Sequence, residues 1–241
     1  EIVSRDWSSD VCSSDLEVNM NWFITFANSS IGKKIFMAIT GLFLSLFLII
    51  HLIGNLTLFG GPEFFNSYVS TLSAVRPLVR FIETILTLIF LVHIVNGIRI
   101  TLENKRATPD KYISNKTNEN SSFFSRNMGL TGSVIFIFLA IHLQTIWYQF
   151  QIQHDGGHFY KIVMNNTIGF GNIFVTLLYS IAMILLSFHL RHGFQSAFQT
   201  FGIRYNKYGK LIEWVAVFFW LIIPLGFLSI PIYFGLIKGG F

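Results

Sequence analysis

Four histidines are the residues in this chain whose type and spacing could do chemistry. His51, His93, His142 and His189 each sit inside a long apolar stretch, toward its C-terminal end. The first stretch, Ile35 to Phe59 (IFMAITGLFLSLFLIIHLIGNLTLF), has no Asp, Glu, Lys or Arg. At ~1.5 Å rise per residue it can cross a ~30 Å hydrocarbon layer. A polar side chain at membrane depth is costly and normally serves a function. A single such histidine reads as a ring hydrogen-bonded to a neighbouring helix. Four of them, one in each of four successive stretches, ask for a common purpose.

The elements that position them are apolar helices. The chain has 241 residues, 52% hydrophobic and 17% aromatic, and only 12% charged, against about 25% charged in a soluble domain. Its apolar runs are long and unbroken, whereas a barrel strand alternates over about ten residues. The expected fold is an all-α integral membrane protein with five transmembrane helices, at about 33–59, 78–102, 128–150, 168–190 and 211–237. The first four form a bundle around the histidines. The fifth has no histidine, and Pro224 and Pro231 are expected to kink it. Asn28-Ser29-Ser30 can cap the first helix, and Gly60-Gly61-Pro62 ends it. The following EFFNSYVSTLSAVRP is amphipathic and suits the membrane interface. Residues 103–127 and 151–167 read as polar loops, and 191–210 as a basic, glycine-containing one. Residues 20–241 make one domain. Residues 1–19 are rich in Ser and Asp and lack an apolar core; they are expected to be a non-native extension ahead of a natural start at Met20.

Charge and cysteine content narrow the function. The net charge is +5, but the basic residues cluster between spans, so they set orientation rather than bind nucleic acid. The N-terminal flank, the 99–126 region and the 191–210 region hold twelve Lys and Arg, against Arg76, Arg80, Lys161 and Lys238 on the other side. The expected N-terminus is cytoplasmic and the C-terminus outside, in a bacterial inner membrane. The single cysteine, Cys12, excludes an intramolecular disulfide, an iron–sulfur cluster and a covalent C-x-x-C-H haem in this chain.

This topology sets the histidine depths. His51 follows Lys34 by 17 residues and His142 follows Arg126 by 16, placing both roughly 25 Å from the inner face. His93 precedes Arg99 by 6 and His189 precedes Arg191 by 2, within about 10 Å of it. An outer pair, His51/His142, and an inner pair, His93/His189, therefore lie roughly 15–20 Å apart in depth. Two stacked bis-histidine haems b need that arrangement, and a bundle core is where such cofactors sit. A proton or metal-ion pathway and purely structural histidines are the competing readings; the only carboxylate well inside these spans is Glu83. Gly54, Gly97 and Gly193 follow His51, His93 and His189 by three or four residues. They share a helix face with the ligand, where a porphyrin could approach the backbone or helices could simply pack closely. His192 competes with His189 in HLRHG; His189 is the deeper and is preferred. His154 and His158 read as plain loop histidines.

Several stretches resemble a known family: TGLFLSLFLIIH at Thr40–His51, GPEFFNS at Gly61–Ser67, H-x-x-x-G at His93–Gly97 and FHLRHGFQSAFQTFG at Phe188–Gly202. The chain resembles, over about residues 30–237, the five-helix di-haem cytochrome b membrane-anchor subunit of succinate dehydrogenase/fumarate reductase. The resemblance implies haem ligation by histidines paired first with third and second with fourth helix, the pairing that depth gives. It also implies a cytoplasmic flavoprotein subunit for succinate or fumarate, an iron–sulfur subunit on the inner face, and electron transfer to a quinone, menaquinone above all, near the outer one. Some family members carry a proton-transferring Glu two residues before the fourth histidine; Ser187 stands there. Glu63 is the candidate quinone-site residue or proton donor, with a solvated carboxylate as the alternative. Arg99 and Arg191 are candidates for haem propionates, beside a plain role in orientation. A cytochrome b of a membrane formate dehydrogenase or hydrogenase, or a non-haem ion-transport protein, is the alternative.

Overall fold

The computed structural model describes residues 21–107, 122–152, 158–203 and 208–238. The expectations for residues 1–19 and His154 lie outside these. Every element among the described residues is helical, and five helices are long and apolar enough to cross a membrane. In chain order the elements are α1 (Ser30–Leu56), α2 (Gly61–Ala74), α3 (Arg76–Ala107), α4 (Phe123–Arg126), α5 (Met128–His142), α6 (Tyr148–Ile152), α7 (Phe159–Val163), α8 (Ile173–Thr200), α9 (Gly209–Val217) and α10 (Ile223–Pro231). A π-helical turn, Leu143–Trp147, joins α5 to α6, so these three make the third span. Two more, Phe218–Ile222 and Ile232–Ile237, join α9 to α10 and extend it, completing the fifth.

The capping expectations for α1 hold. The Ser29 hydroxyl accepts from the Gly32 N–H at 3.0 Å, satisfying one of the free donors of the first turn. At the far end a 3₁₀ turn, Thr57–Gly60, leads to Gly61 at φ +88°, a conformation glycine adopts without a Cβ clash. Pro62, within the first turn of α2, needs no amide hydrogen there. The amphipathic stretch is thus the helix α2, anchored by Phe65 against Phe150 and Tyr160 and by Asn66, whose Oδ1 accepts from the Tyr160 N–H at 2.8 Å.

Two helices differ from the sequence expectation. α3 runs to Ala107, and α8 starts at Ile173 and runs to Thr200, about ten residues beyond the predicted end. Residues 168–172 are turns, closed by Asn172 as the cap for Phe174 N–H at 2.9 Å. The extension of α8 is held by packing rather than by lipid: Phe194 stacks on Phe219 at 4.8 Å and meets Phe198 at 4.9 Å, and Ala197 is buried. A run of Arg, His and Gln can continue a helix past the apolar layer when one face has such a partner.

In the bundle, span one packs on spans two and four, span four on span three, and spans two and three meet along one short contact. Going round, the order is one, two, three, four, so one faces three and two faces four across the diagonals. Span five lies outside, against one and four. Apolar residues fill its seam with span four, among them Phe219, Ile223 and Phe227. A second cluster, from Leu58, Phe65, Phe159, Tyr160, Phe170 and Phe234, closes the end of the bundle where α1 meets α2 and α7.

The prolines of span five lie beside its π-helical turns, Pro224 shortly after Phe218–Ile222 and Pro231 directly before Ile232–Ile237. Pro224 cannot give an amide hydrogen to the Trp220 carbonyl four residues earlier. The Ser187 hydroxyl of α8 donates to that carbonyl instead, at 2.5 Å. The position where the family resemblance looked for a glutamate is therefore occupied in holding span five to span four.

Candidate functional site: two histidine pairs

The diagonals carry the four histidines. Across the diagonal of spans one and three, the rings of His51 and His142 have centroids 5.8 Å apart at 84°. Across the other, the rings of His93 and His189 are 6.3 Å apart at 67°. The level of each pair can be read from its neighbours. His93 Cε1 lies 3.3 Å from where a Cβ on Gly41 would stand, and His189 Cε1 lies 3.6 Å from the same point on Gly132. Gly41 is ten residues before His51 on span one, and Gly132 ten before His142 on span three. Either helix gives about 15 Å between the two pairs.

Three of the four rings have Nδ1 beside a hydroxyl. Thr40 Oγ1 lies 3.1 Å from His93 Nδ1, Thr131 Oγ1 3.4 Å from His189 Nδ1, and Tyr179 Oη 3.1 Å from His142 Nδ1. His51 is held differently: its ring stacks on Phe47 at 5.1 Å and meets Phe227 at 5.6 Å. His142 stacks on Phe138 at 5.7 Å, one turn before it, as Phe47 is one turn before His51. Directly after His142 the third span takes its π-helical turn, a feature that concentrates at functional sites because it re-aims the residues around it.

The other sequence candidates are placed as follows. His192 is half-buried one turn beyond His189, and it is His189 that meets His93. His158 precedes α7 as its N-cap residue. Among the described residues, no cluster of three metal-binding side chains occurs. Gly193 faces open space, Gly97 faces the Met37 methyl group at 3.2 Å, and Gly54 lies against the Tyr68 ring of α2. Arg99 donates to Asn28 Oδ1 at 2.8 Å. Arg191 lies between two rings, its guanidinium 4.1 Å from the Phe124 centroid and 4.9 Å from that of Trp220, in the geometry of cation–π attraction. Glu63 is exposed in the first turn of α2, where the helix dipole favours a carboxylate.

A polar group gathers around Glu83, the carboxylate inside span two. Its carboxylate accepts from Trp147 Nε1 at 2.9 Å, Gln151 Nε2 at 3.2 Å and Arg80 Nη1 at 3.1 Å. Arg80 also lies over the Trp147 ring at 5.5 Å. A cavity of about 300 Å³ is lined by Arg80, Glu83, Thr84, Thr87, Leu88 and Trp147. Glu83 is ten residues before His93 on span two, so the cavity opens at the level of the outer pair, on the loosely packed side between spans two and three.

The sequence assigned no role of their own to Thr40, Gly41, Thr131 and Gly132, although a signal was there. Thr40-Gly41 and Thr131-Gly132 each begin eleven residues before a span histidine, and Phe47/Phe138, Leu48/Leu139 and Ile50/Ile141 fall into the same register. All are 91 positions apart, as are His51 and His142. Spans one and three are thus copies of one pattern.

A multi-pass helical membrane protein with two histidine pairs stacked along one bundle is the class that this fold and site define. Residues 21–116, which hold the first two spans, match the family model of the succinate dehydrogenase/fumarate reductase transmembrane subunit. No curated protein and no solved structure matches the chain.

Proposed function

We propose that the chain is the di-haem cytochrome b anchor of a succinate:quinone oxidoreductase, of the five-helix, single-polypeptide type. The observation that carries the reading is the pairing of four histidines across both diagonals of one bundle, at two levels about 15 Å apart. The residues fit the group. With a metal–nitrogen distance of about 2 Å, two imidazoles on one metal put their ring centres about 6 Å apart, and the two pairs stand at 5.8 and 6.3 Å. Hydroxyls occupy Nδ1 on three of the four rings, which leaves Nε2 for a metal, the division of labour expected of histidine ligands. Bound haems b would supply one-electron transfer between an iron–sulfur subunit and a quinone.

His51 and His142 would hold the outer group, and His93 and His189 the inner. The open face at Gly193 gives room beside the inner pair. Arg99 and Arg191 are the cations nearest the inner pair in sequence and are the proposed partners of propionates. On the outer level, the cavity beside Glu83 is the proposed approach for a quinone, menaquinone in the first instance. There the Arg80 guanidinium can meet a quinone oxygen, and Glu83 can exchange a proton with it. Glu63, exposed on α2, can serve as a relay to water. The basic flanks support a cytoplasmic N-terminal side, on which the flavoprotein and iron–sulfur subunits would dock, and a C-terminus outside the bacterial inner membrane.

The test is to purify the chain with its co-expressed partners and measure succinate–quinone turnover. Turnover is expected in the wild-type complex. Glu83→Gln should lower kcat by at least tenfold without loss of the histidine-bound chromophores, and Glu63→Gln should have a smaller effect. A complex that assembles and reduces an artificial acceptor with succinate, yet does not reduce any quinone, would contradict the reading.

A further inference from the structure

We propose that Thr40 and Thr131 are positioning residues for the inner histidine pair: each accepts a hydrogen bond from the Nδ1–H of the histidine on the neighbouring helix, fixes its tautomer, and so turns both Nε2 lone pairs to the space between spans two and four. The inference rests on the haem reading above and adds to it residues and a mechanism that no ligand pattern supplies.

The proton count makes the assignment. A threonine hydroxyl has one hydrogen to give. Thr40 Oγ1 spends it on the Phe36 carbonyl at 2.7 Å, one turn back in its own helix. The contact with His93 Nδ1 at 3.1 Å therefore has the ring as donor. Thr131 Oγ1 gives its hydrogen to the Asn127 carbonyl at 3.1 Å, with that of Met128 at 3.2 Å, so His189 donates to it at 3.4 Å. A neutral imidazole with its proton on Nδ1 has its lone pair on Nε2 and nowhere else. Both threonines are buried, at 7% and 3% exposure, so water does not compete for these contacts. The glycine after each threonine completes the device. At Gly41 and Gly132 a Cβ would stand 3.3 and 3.6 Å from Cε1 of the same histidine, so the missing side chain lets the ring lie against the helix that carries its acceptor.

The same Thr-Gly pair thus occurs twice, on spans one and three, each time facing the histidine of the next span. The outer pair has no counterpart. His142 meets a tyrosine, whose hydroxyl can give or take, and His51 is wedged between Phe47 and Phe227. The inner rings are fixed by acceptors and the outer rings by aromatic packing.

The experiment is electron paramagnetic resonance and redox titration of the purified complex, with the inner signal identified as the one that His93→Ala removes. Thr40→Val keeps the shape and removes the acceptor. It is expected to shift the g values of the inner low-spin signal and to raise its midpoint potential, because the ligand donates less electron density once its N–H has no acceptor. The outer signal should stay in place. Thr40→Ser should restore the inner signal, and Thr131→Val should act on the same signal. Gly41→Ala should move its g values with the hydrogen bond intact, by pressing on the ring. If a variant fails to assemble, the Ser variant and Gly41→Ala carry the comparison. Two low-spin signals in the wild type, both unmoved by Thr40→Val and Thr131→Val, would overturn the positioning role while leaving the haem reading intact. No low-spin signal in the wild type would overturn the haem reading itself.

Discussion

His189 and His192 lie three residues apart on α8, and only the first faces His93, at 6.3 Å between ring centres. His189→Ala is expected to remove the inner low-spin signal, while His192→Ala leaves two haems per chain; spectra of the two purified variants decide, and the reverse outcome would move the ligand by most of a turn. Much of this was legible in the sequence. The four histidines stand out because nothing else ionisable lies so regularly in apolar runs, and charge-derived depth grouped them into the two pairs that the bundle brings together. The acceptors were not legible by that route. Thr40 and Thr131 look like ordinary small residues of a membrane helix, and only their contact with a ring on the next helix marks them out. Glu83 was visible, but its partners Trp147 and Gln151 come from another span at a π-helical turn, which no periodicity of span two reveals.

At the scale of the element, hydropathy located all five spans and misplaced their ends. It reads the edge of the lipid rather than the end of the helix, so α8 was cut at Leu190, although Phe194 and Ala197 carry it on against span five. The join of spans four and five also depends on a hydrogen bond that a proline makes necessary. Ser187→Ala leaves the Trp220 carbonyl without its 2.5 Å donor and is expected to cost about 1 kcal/mol, seen as a lower Tm of the detergent-solubilised complex. The cost should shrink in a Pro224→Ala background, where a backbone N–H becomes available. An equal cost in both backgrounds would show that the proline has no part in it. The start of span one is tied to the end of span two by Lys33, 7% exposed, with Nζ 2.6 and 2.7 Å from the two Glu103 oxygens. Glu103 is half-exposed, so solvent screens the pair, and Glu103→Gln, which keeps an acceptor oxygen for Lys33, should lower the Tm less than Ser187→Ala does.

For the whole molecule, the twofold use of one pattern is the organising fact. Spans one and three repeat Thr-Gly and His at eleven residues' separation, spans two and four each supply His and a Gly four residues later, and the diagonals of the bundle turn this repetition into two levels of paired rings. The uneven distribution of Lys and Arg then gives the stack a direction: a C-terminal reporter is expected to be active only outside the cytoplasm, and activity inside would reverse the inner and outer assignments together. The central claim, two paired-histidine centres in one chain, is tested most directly by counting what they hold. Pyridine haemochrome analysis of the purified complex, with protein quantified by amino-acid analysis, is expected to give two non-covalent haems b per chain, falling to one in His51→Ala and one in His93→Ala. One haem or none in the wild type would contradict it.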